Sequence, residues 1–429
     1  MGPAPAREAH GLDREIARVV QAGNCSGCGA CCQLDAGLTM ALDTEGFARP
    51  VRTGEDPAPD AADRLAVDRF RSTCPGVSVQ AARVAGAARH PMMGPALGAW
   101  RAWAADETVR HAGSSGGVLT ALAGWLSERD DVAQVVGAAA DPADPRRTVS
   151  VQIRDRAEAL AASGSRYGPV GNAAAAGALD PAGAFVGKPC EASALRGLAR
   201  ATGQDAPLIL SFFCAGTPSQ RATDDLVEEL GVPRGAALAG LRYRGNGWPG
   251  RFVARTVEGS EVSASYEESW GDHLGRAVQW RCKICPDGVG ESSDISAGDL
   301  WRTDDRGYPG FEEGAGVSAL LARTPRGLRV VEEAIAAGVI VAELLDLDEI
   351  AAVQPLQRKR RQTLLGRLVG ARLAGRRPPR YRGFGLVRLA LARPRETLRT
   401  ARGTFSRVRS DGGRPTSPSR SGAVEGRRS

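Results

Sequence analysis

The chain has 429 residues, 42% hydrophobic and 24% charged, with nine cysteines. That length allows two or three domains and a substantial core. No apolar run approaches the roughly 18–20 residues of a membrane-spanning helix, the N-terminus lacks the apolar stretch of a secretory signal, and an odd cysteine count cannot be fully paired in disulfides. The net charge of +7 is uneven: from Gln354 onward there are 21 Lys/Arg against 3 Asp/Glu, which leaves 35 against 46 in the rest. The expectation is a cytoplasmic protein with an acidic body and a basic tail. A nucleic-acid binder would carry its positive charge on a folded face between aromatics.

Taken in chain order, residues 1–20 read as a lead-in and short helix, followed by a Cys-rich turn, GNCSGCGACCQ, and a small hairpin around Asp43–Gly46. GEDPAPDAAD (54–63) is a loop or linker. From about Trp100 strands alternate with helices: VLTALAGWLSERD (helix), VAQVVGAAA and VSVQIRD (strands), RAEALAAS (helix), GAFVG (strand), KPCEASALRGLARAT (helix), PLILSFF (strand). TPSQRATDDLVEELG reads as a helix capped by Thr217 with Pro218 in its first position. Short apolar strands between amphipathic helices predict an α/β fold, a mostly parallel or mixed sheet flanked by helices. Residues 239–262 are a β-rich excursion, and GVSALLART, PRGLRVVEEAIAAG and VIVAELL return to strand, helix and strand. The expected division is an N-terminal module (1–99), an α/β core (100–236), a C-terminal α/β part (237–355), a basic helical extension (356–390) and a disordered basic tail (391–429).

The sulfur pattern carries the chemistry. Cys25, Cys28 and Cys31 are spaced Cys-x2-Cys-x2-Cys, with Gly27 and Gly29 allowing tight turns. Three thiolates at that spacing wrap one face of an iron–sulfur cluster. Cys74, immediately before Pro75, is the natural fourth ligand, and Cys32 is a spare, although which of Cys31 and Cys32 binds metal stays open. A structural zinc site, which ordinarily uses two separated pairs, is the alternative. Cys190 and Cys214 each end a predicted strand, so a parallel sheet brings them to one edge. The Cys282/Cys285 pair could complete a second set there, with zinc or plain packing as the alternatives.

Gly113, Ser114, Ser115, Gly116 and Gly117 precede a helix, where small residues let a phosphate approach backbone amides. The stretch is neither a Walker loop nor a dinucleotide fingerprint. Arg166 and Tyr167 lie in GSRYG, and Lys188–Pro189 precede Cys190. Lys188 is one of three lysines against 53 arginines, and its compact ammonium could balance the charge of a reduced flavin. His111 and His273 are candidate proton donors. Trp248 in RYRGNGWPGRF could stack on a cofactor or merely end a hairpin, and Asp294 and Asp299 read as structural.

CSGCGAC, CPG, GSSGGVLTAL, GKPCEASALRG, CAGTPS, GNGWPGRF, CKICPD and DISAGDLW, in this order, resemble the coenzyme F-420 hydrogenase/dehydrogenase beta-subunit family, which includes the plant 7-hydroxymethyl chlorophyll a reductase. The resemblance covers about residues 20–355. It implies FAD and one or two 4Fe-4S clusters, with Cys25, Cys28, Cys31 and Cys74 as ligands of the first. Cys190, Cys214, Cys282 and Cys285 would ligate the second. It places flavin contacts at Gly113–Gly117, Ser165–Tyr167 and Lys188–Pro189. Lys188 and His111, from the reading of the residues themselves, are the candidate catalytic groups. Coenzyme F-420 or a ferredoxin-type carrier is the implied electron partner of an oxidoreductase. A non-catalytic electron-transfer subunit of a larger complex is the alternative, and a homo-oligomer or membership of a larger complex are both open. The Arg-rich tail departs from the family pattern and could dock an acidic carrier or an anionic membrane surface.

Overall fold

The computed structural model describes residues 11–53, 61–301 and 313–410. The N-terminal part starts with α1 (Gly11–Gln21), whose first amides, Gly11 N and Leu12 N, donate to the Asp63 carboxylate at 3.0 Å each. The expected hairpin forms from β1 (Leu38–Leu42) and β2 (Ala48–Arg52). The helix α2 (Ala61–Thr73) packs Ala66 and Phe70 against Leu12, Ile16 and Val19 of α1. Most of the linker expected at 54–63 lies outside the described residues. Three short strands follow: β3 (Ser78–Gln80), β4 (Arg89–His90) and β5 (Gly94–Pro95).

One eight-stranded sheet then organises the chain. It contains β6 (Gly98–Ala104), β7 (Val135–Ala140), β8 (Thr148–Ile153), β9 (Ala184–Gly187) and β10 (Leu208–Phe212). After a separate antiparallel sheet of β11 (Leu238–Arg242), β12 (Phe252–Thr256) and β13 (Glu261–Ala264), it resumes with β14 (Ile295–Asp299), β15 (Ser318–Ala322) and β16 (Ile340–Leu344). The order is β16-β6-β15-β14-β10-β9-β7-β8. Only the centre is parallel, through the pairs β14–β10, β10–β9 and β9–β7; the flanking strands are antiparallel. Strands from both expected α/β parts thus share one sheet.

Alternation along the strands builds a core on each face. Leu208 and Leu210 join a cluster with Leu122, Leu126, Ile295 and Leu320, while Ile209 between them packs with Phe185, Leu195 and Leu198 on the other side. The helices over these faces include α3 (Glu107–Ala112), α4 (Val118–Ser127), α5 (Arg156–Ala161), α6 (Pro189–Thr202), α9 (Pro325–Ala336) and α10 (Leu347–Ala352), whereas α7 (Gln220–Glu229) packs Ala222, Leu226 and Val227 against β11 and β12, and α8 (Trp280–Lys283) carries Cys282. The expected cap of α7 moves by two residues. Ser219 Oγ accepts from Arg221 N at 3.1 Å, because Pro218 is held extended in a bridge to Val278.

The basic C-terminal region is ordered further than composition suggests. After α11 (Pro355–Leu373) and β17 (Arg380–Arg382), helices α12 (Leu386–Leu391) and α13 (Pro394–Ser410) follow, where disorder was expected from residue 391. Side-chain-free glycines explain the packing. Gly366 and Gly370 of α11 lie so close to α13 that a Cβ would come within 2.5 Å of Thr397 O and 2.2 Å of Ala401 O. Residues 411–429, the rest of the expected tail, lie outside the described residues. Parallel pairing of β17 with β3 returns the chain to the N-terminal part.

Candidate redox site

At the C-terminal edge of β9, β10 and β14, where parallel sheets place their ligands, lies a cavity of about 460 Å³. Gly113, Ser114, Ser115 and Gly117 line it, as do Ser165, Arg166, Tyr167 and Lys188; Gly116 and Pro189 do not. Gly116 serves the wall from behind. Its amide donates to Ser318 Oγ at 3.0 Å, and a Cβ there would stand 2.6 Å from Ala102 O. Gly117, at φ 71°, caps α4 without a side chain, which leaves the helix's positive end facing the loop. Ser114 and Ser165 hydroxyls are joined at 2.8 Å, and Ser115 Oγ donates to Val317 O at 3.0 Å.

Lys188 is buried at the start of α6, its ammonium 2.6 Å from Glu191 Oε1 and 2.6 Å from Val170 O. Burial opposes its charge, but Glu191, with the sulfurs of Cys190 and Cys214, outweighs burial and raises its pKa. A permanent cation therefore stands in the cavity wall. Arg166 lines the cavity and also ties its wall together. It donates to Thr148 Oγ1 and to the carbonyls of Leu241, Pro145 and Arg147, and so staples three backbone segments together. His111 is exposed on α3 and does not line the cavity. His273 packs elsewhere, beside Ala222 O and Glu229.

The opposite wall is aromatic. Tyr167 meets Trp270 at 4.6 Å and Tyr243 at 5.5 Å between centroids. Arg244, buried, holds Asp299 through contacts of 2.9 and 3.1 Å and lies over Tyr266 and Trp301. Asp299 is thus part of the cavity, whereas Asp294 is structural as expected: its carboxylate is shared by Arg196, Arg326 and Ile209 N. Trp248 leans on Trp301 at 5.2 Å, behind this wall.

The cysteines form two neighbourhoods. Cys25, Cys28, Cys31 and Cys74 line one small apolar pocket with Ile16, Val19, Leu34 and Phe70, and Cys32 is outside it. Gly27 and Gly29 adopt φ of 68° and 85°, and Gly27 N points at Cys25 Sγ, 3.4 Å away. Burial pushes the Cys28 thiol up to about 11 and the Cys74 thiol higher still. Such thiols ionise when a cation binds them. Cys190, Cys214, Cys282 and Cys285 form the second neighbourhood. Burial, then Cys282, pushes Cys214 up to about 12, against the pull of Arg360. Thr217 N points at Cys282 Sγ at 3.4 Å, and Cys190 feels both Cys214 and Cys28 of the first set. As the side chains stand, no three His, Cys, Asp or Glu among the described residues are gathered tightly enough to hold a metal ion.

Two buried donors test whether the second neighbourhood suits an anionic cluster. Arg281 is 2% exposed, makes one hydrogen bond, to Pro75 O at 3.0 Å, and its Nε is unpartnered among the described residues. Burial opposes its charge, and Tyr381 with the sulfurs of Cys285, Cys190 and Cys282, once ionised, outweighs that. Tyr381 OH, also buried, has no partner among the described residues either. A buried cation and an unpartnered hydroxyl facing an all-thiol set are what a negatively charged iron–sulfur centre would satisfy. The donor chemistry fits.

Two family descriptions match, both of the "Coenzyme F420 hydrogenase/dehydrogenase, beta subunit": residues 99–176 match its N-terminal part and residues 182–347 its C-terminal part. The chain belongs to the F420 hydrogenase/dehydrogenase beta-subunit family. It is thereby a member of an oxidoreductase family. In the F420-reducing NiFe hydrogenase complex from Methanosarcina barkeri, one chain shares its fold at a TM-score of 0.50 and 19% identity, over 68% of this chain and 98% of that one. No curated protein matches.

The two family matches end at residue 347, so the first cysteine set and α11–α13 lie outside them. Sequence reasoning missed Tyr266, Trp270 and Trp301 as cavity residues of this family member, and named Arg244 only as one of the guanidiniums flanking Trp248 in RYRGNGWPGRF. SYEESW and DISAGDLW held an aromatic signal, but the residues meet only where Arg244, just past β11, holds Asp299 at the end of β14 and Tyr266 reaches Trp301.

Proposed function

We propose that this chain is an FAD- and iron–sulfur-dependent oxidoreductase of the F420 beta-subunit type, with reduced F420 or a ferredoxin-type carrier as electron partner. When bound, FAD would supply hydride chemistry and 4Fe-4S clusters single-electron transfer. The observation that carries the reading is a shared wall: Cys214 and Thr217 line the 460 Å³ cavity, and Thr217 N points at Cys282 Sγ 3.4 Å away. Cys25, Cys28, Cys31 and Cys74 would hold one cluster, and Cys190, Cys214, Cys282 and Cys285 a second.

The chain's own residues would act as follows. The amides of Ser114, Ser115 and Gly117, with the α4 N-terminus, would present positive potential to a pyrophosphate. Lys188, locked on Glu191 and Val170 O, offers a fixed cation to negative charge developing in the cavity. Tyr167, Tyr266, Trp270 and Trp301 give a ring a face to pack on and keep water out. His111 lies outside this wall, so proton delivery is assigned to no residue of the cavity.

Anaerobically purified chain should be brown, show flavin absorbance and contain roughly eight irons, as two cubanes require. Turnover of reduced F420 with an added acceptor by the isolated chain would establish an enzyme. Cofactors without turnover would favour an electron-transfer role within a larger assembly, a reading supported by the fold likeness to a chain of a hydrogenase complex. Colourless protein with stoichiometric zinc would refute both.

A further inference from the structure

The outer surface of α12 and α13 is not used by the cavity or by either cysteine set. On α13, Arg395, Leu398, Arg399, Arg402, Ser406 and Arg409 are exposed and follow helical spacing, while Thr404 and Val408 are buried. On α12, Val387 and Leu391, one turn apart, are 62% and 75% exposed, and Leu398 of α13 is 53% exposed. Arg388 and Arg393 are exposed beside them. Among the described residues, the one carboxylate paired with this set is Glu396, 3.6 Å from Arg393. The two helices are joined as a unit, with Thr397 N donating to Arg393 O and Arg393 N to Ala390 O. Glycine-mediated contact with α11 fixes their buried side.

We propose that α12 and α13 form a peripheral docking face for an anionic lipid bilayer. Leucine and valine projecting between arginines, with almost no acid, is the pattern of a helix lying in the headgroup region. The apolar side chains enter the acyl boundary and the guanidiniums meet the lipid phosphates. An acidic protein partner would also attract the arginines, but it would leave three exposed aliphatic side chains without a hydrocarbon phase to enter. The acidic balance of the rest of the chain directs this face, and not the body, toward a negative surface. Residues 411–429 add four arginines against Asp411 and Glu425 in sequence. The inference is independent of the redox chemistry proposed above.

The test is co-sedimentation of the full chain with vesicles of pure phosphatidylcholine and with vesicles containing about 30% phosphatidylglycerol, a composition chosen to give a negative surface potential. Binding is expected to the anionic vesicles alone and to fall with added salt. Each arginine at such a surface contributes roughly fivefold in affinity, so R395Q/R399Q/R402Q should weaken binding about a hundredfold. L391S/L398S should weaken binding at a salt concentration that screens the charges. All five positions are exposed, and unchanged circular dichroism and melting would verify folding. Equal sedimentation with both vesicle types would overturn the proposal, as would binding unaffected by the arginine triple variant. Salt-sensitive binding to a ferredoxin with no vesicle binding would assign the face to a protein partner instead and equally overturn it.

Discussion

Replacing Arg281 by methionine should have opposite consequences in metal-free and metal-loaded protein. The guanidinium is 2% exposed with one hydrogen bond, at 3.0 Å, and an unpartnered Nε. With the thiols protonated, the bond to Pro75 O and the Tyr381 ring 5.6 Å away offset only part of its desolvation, and an apolar side chain of similar volume should stabilise the metal-free chain by roughly 1–4 kcal/mol. With the thiolates around metal, a cation taken as about 7 Å away in an effective dielectric of about 20 contributes roughly 2.4 kcal/mol. For a one-electron couple that is about 100 mV, at about 59 mV per tenfold. Because the cation favours the more negative, reduced state, R281M should lower the midpoint potential of the second cluster by that amount. Urea unfolding of metal-free protein and a spectroelectrochemical titration of reconstituted protein measure the two effects. If R281M destabilised the metal-free chain by more than about 1 kcal/mol and left both potentials unmoved, the charge-compensation argument would fail.

Other outcomes follow from the same geometry. Lys188→Met leaves Glu191 buried without its ammonium, so it should cost about 3–5 kcal/mol in stability and weaken flavin binding in a fluorescence titration, whereas Lys188→Arg should restore part of the stability. Cys31→Ser should remove about four irons per chain by colorimetric assay, one cubane's worth, and Cys32→Ser none, since only Cys31 lines the first pocket. Asp294 is a folded-state carboxylate with a depressed pKa: burial would raise it, but Arg196, Arg326 and Ile209 N prevail. Its contribution is therefore present above the unfolded value near 3.8 and lost as pH falls through the folded one. Asp294→Asn should be strongly destabilised at pH 7 and should converge on the wild type in acid melts.

Local patterns in the sequence were informative where local physics decides structure. The hairpin at Asp43–Gly46, the helix after Gly117, and the strands ending at Gly187 and Phe212 follow from turn residues, caps and apolar runs. The convergence of Cys25, Cys28, Cys31 and Cys74 on one pocket was legible because spacing and the Cys74–Pro75 pair encode it. Non-local pairing was not legible: β6, β15 and β16 are short apolar strands whose antiparallel placement nothing in their own sequence distinguishes from parallel. The place of Arg166 at the cavity agrees with the family resemblance, but the carbonyls of Leu241, Pro145 and Arg147 that hold its guanidinium come from loops far away in sequence. The helix at Pro394–Ser410 was hidden by composition. Its buried stripe is small, Thr404 and Val408, because α11 meets it through glycines and not through large apolar side chains.

The parallel pairing of β17 with β3 has a consequence for biosynthesis. Arg380 N donates to Val77 O and Ala81 N to Arg382 O, while Asn24 Nδ2 donates to Arg377 O at 2.6 Å. These bonds buckle residues 377–382 onto the turn that carries Cys74 and onto the stretch entering Cys25. A ribosome must therefore have made the chain past Arg382 before the amino-terminal sulfur pocket can be clasped shut. Maturation of that pocket waits on residues about 300 positions downstream of Cys74, and a fragment trimmed to residues 99–347 would carry neither half of the buckle.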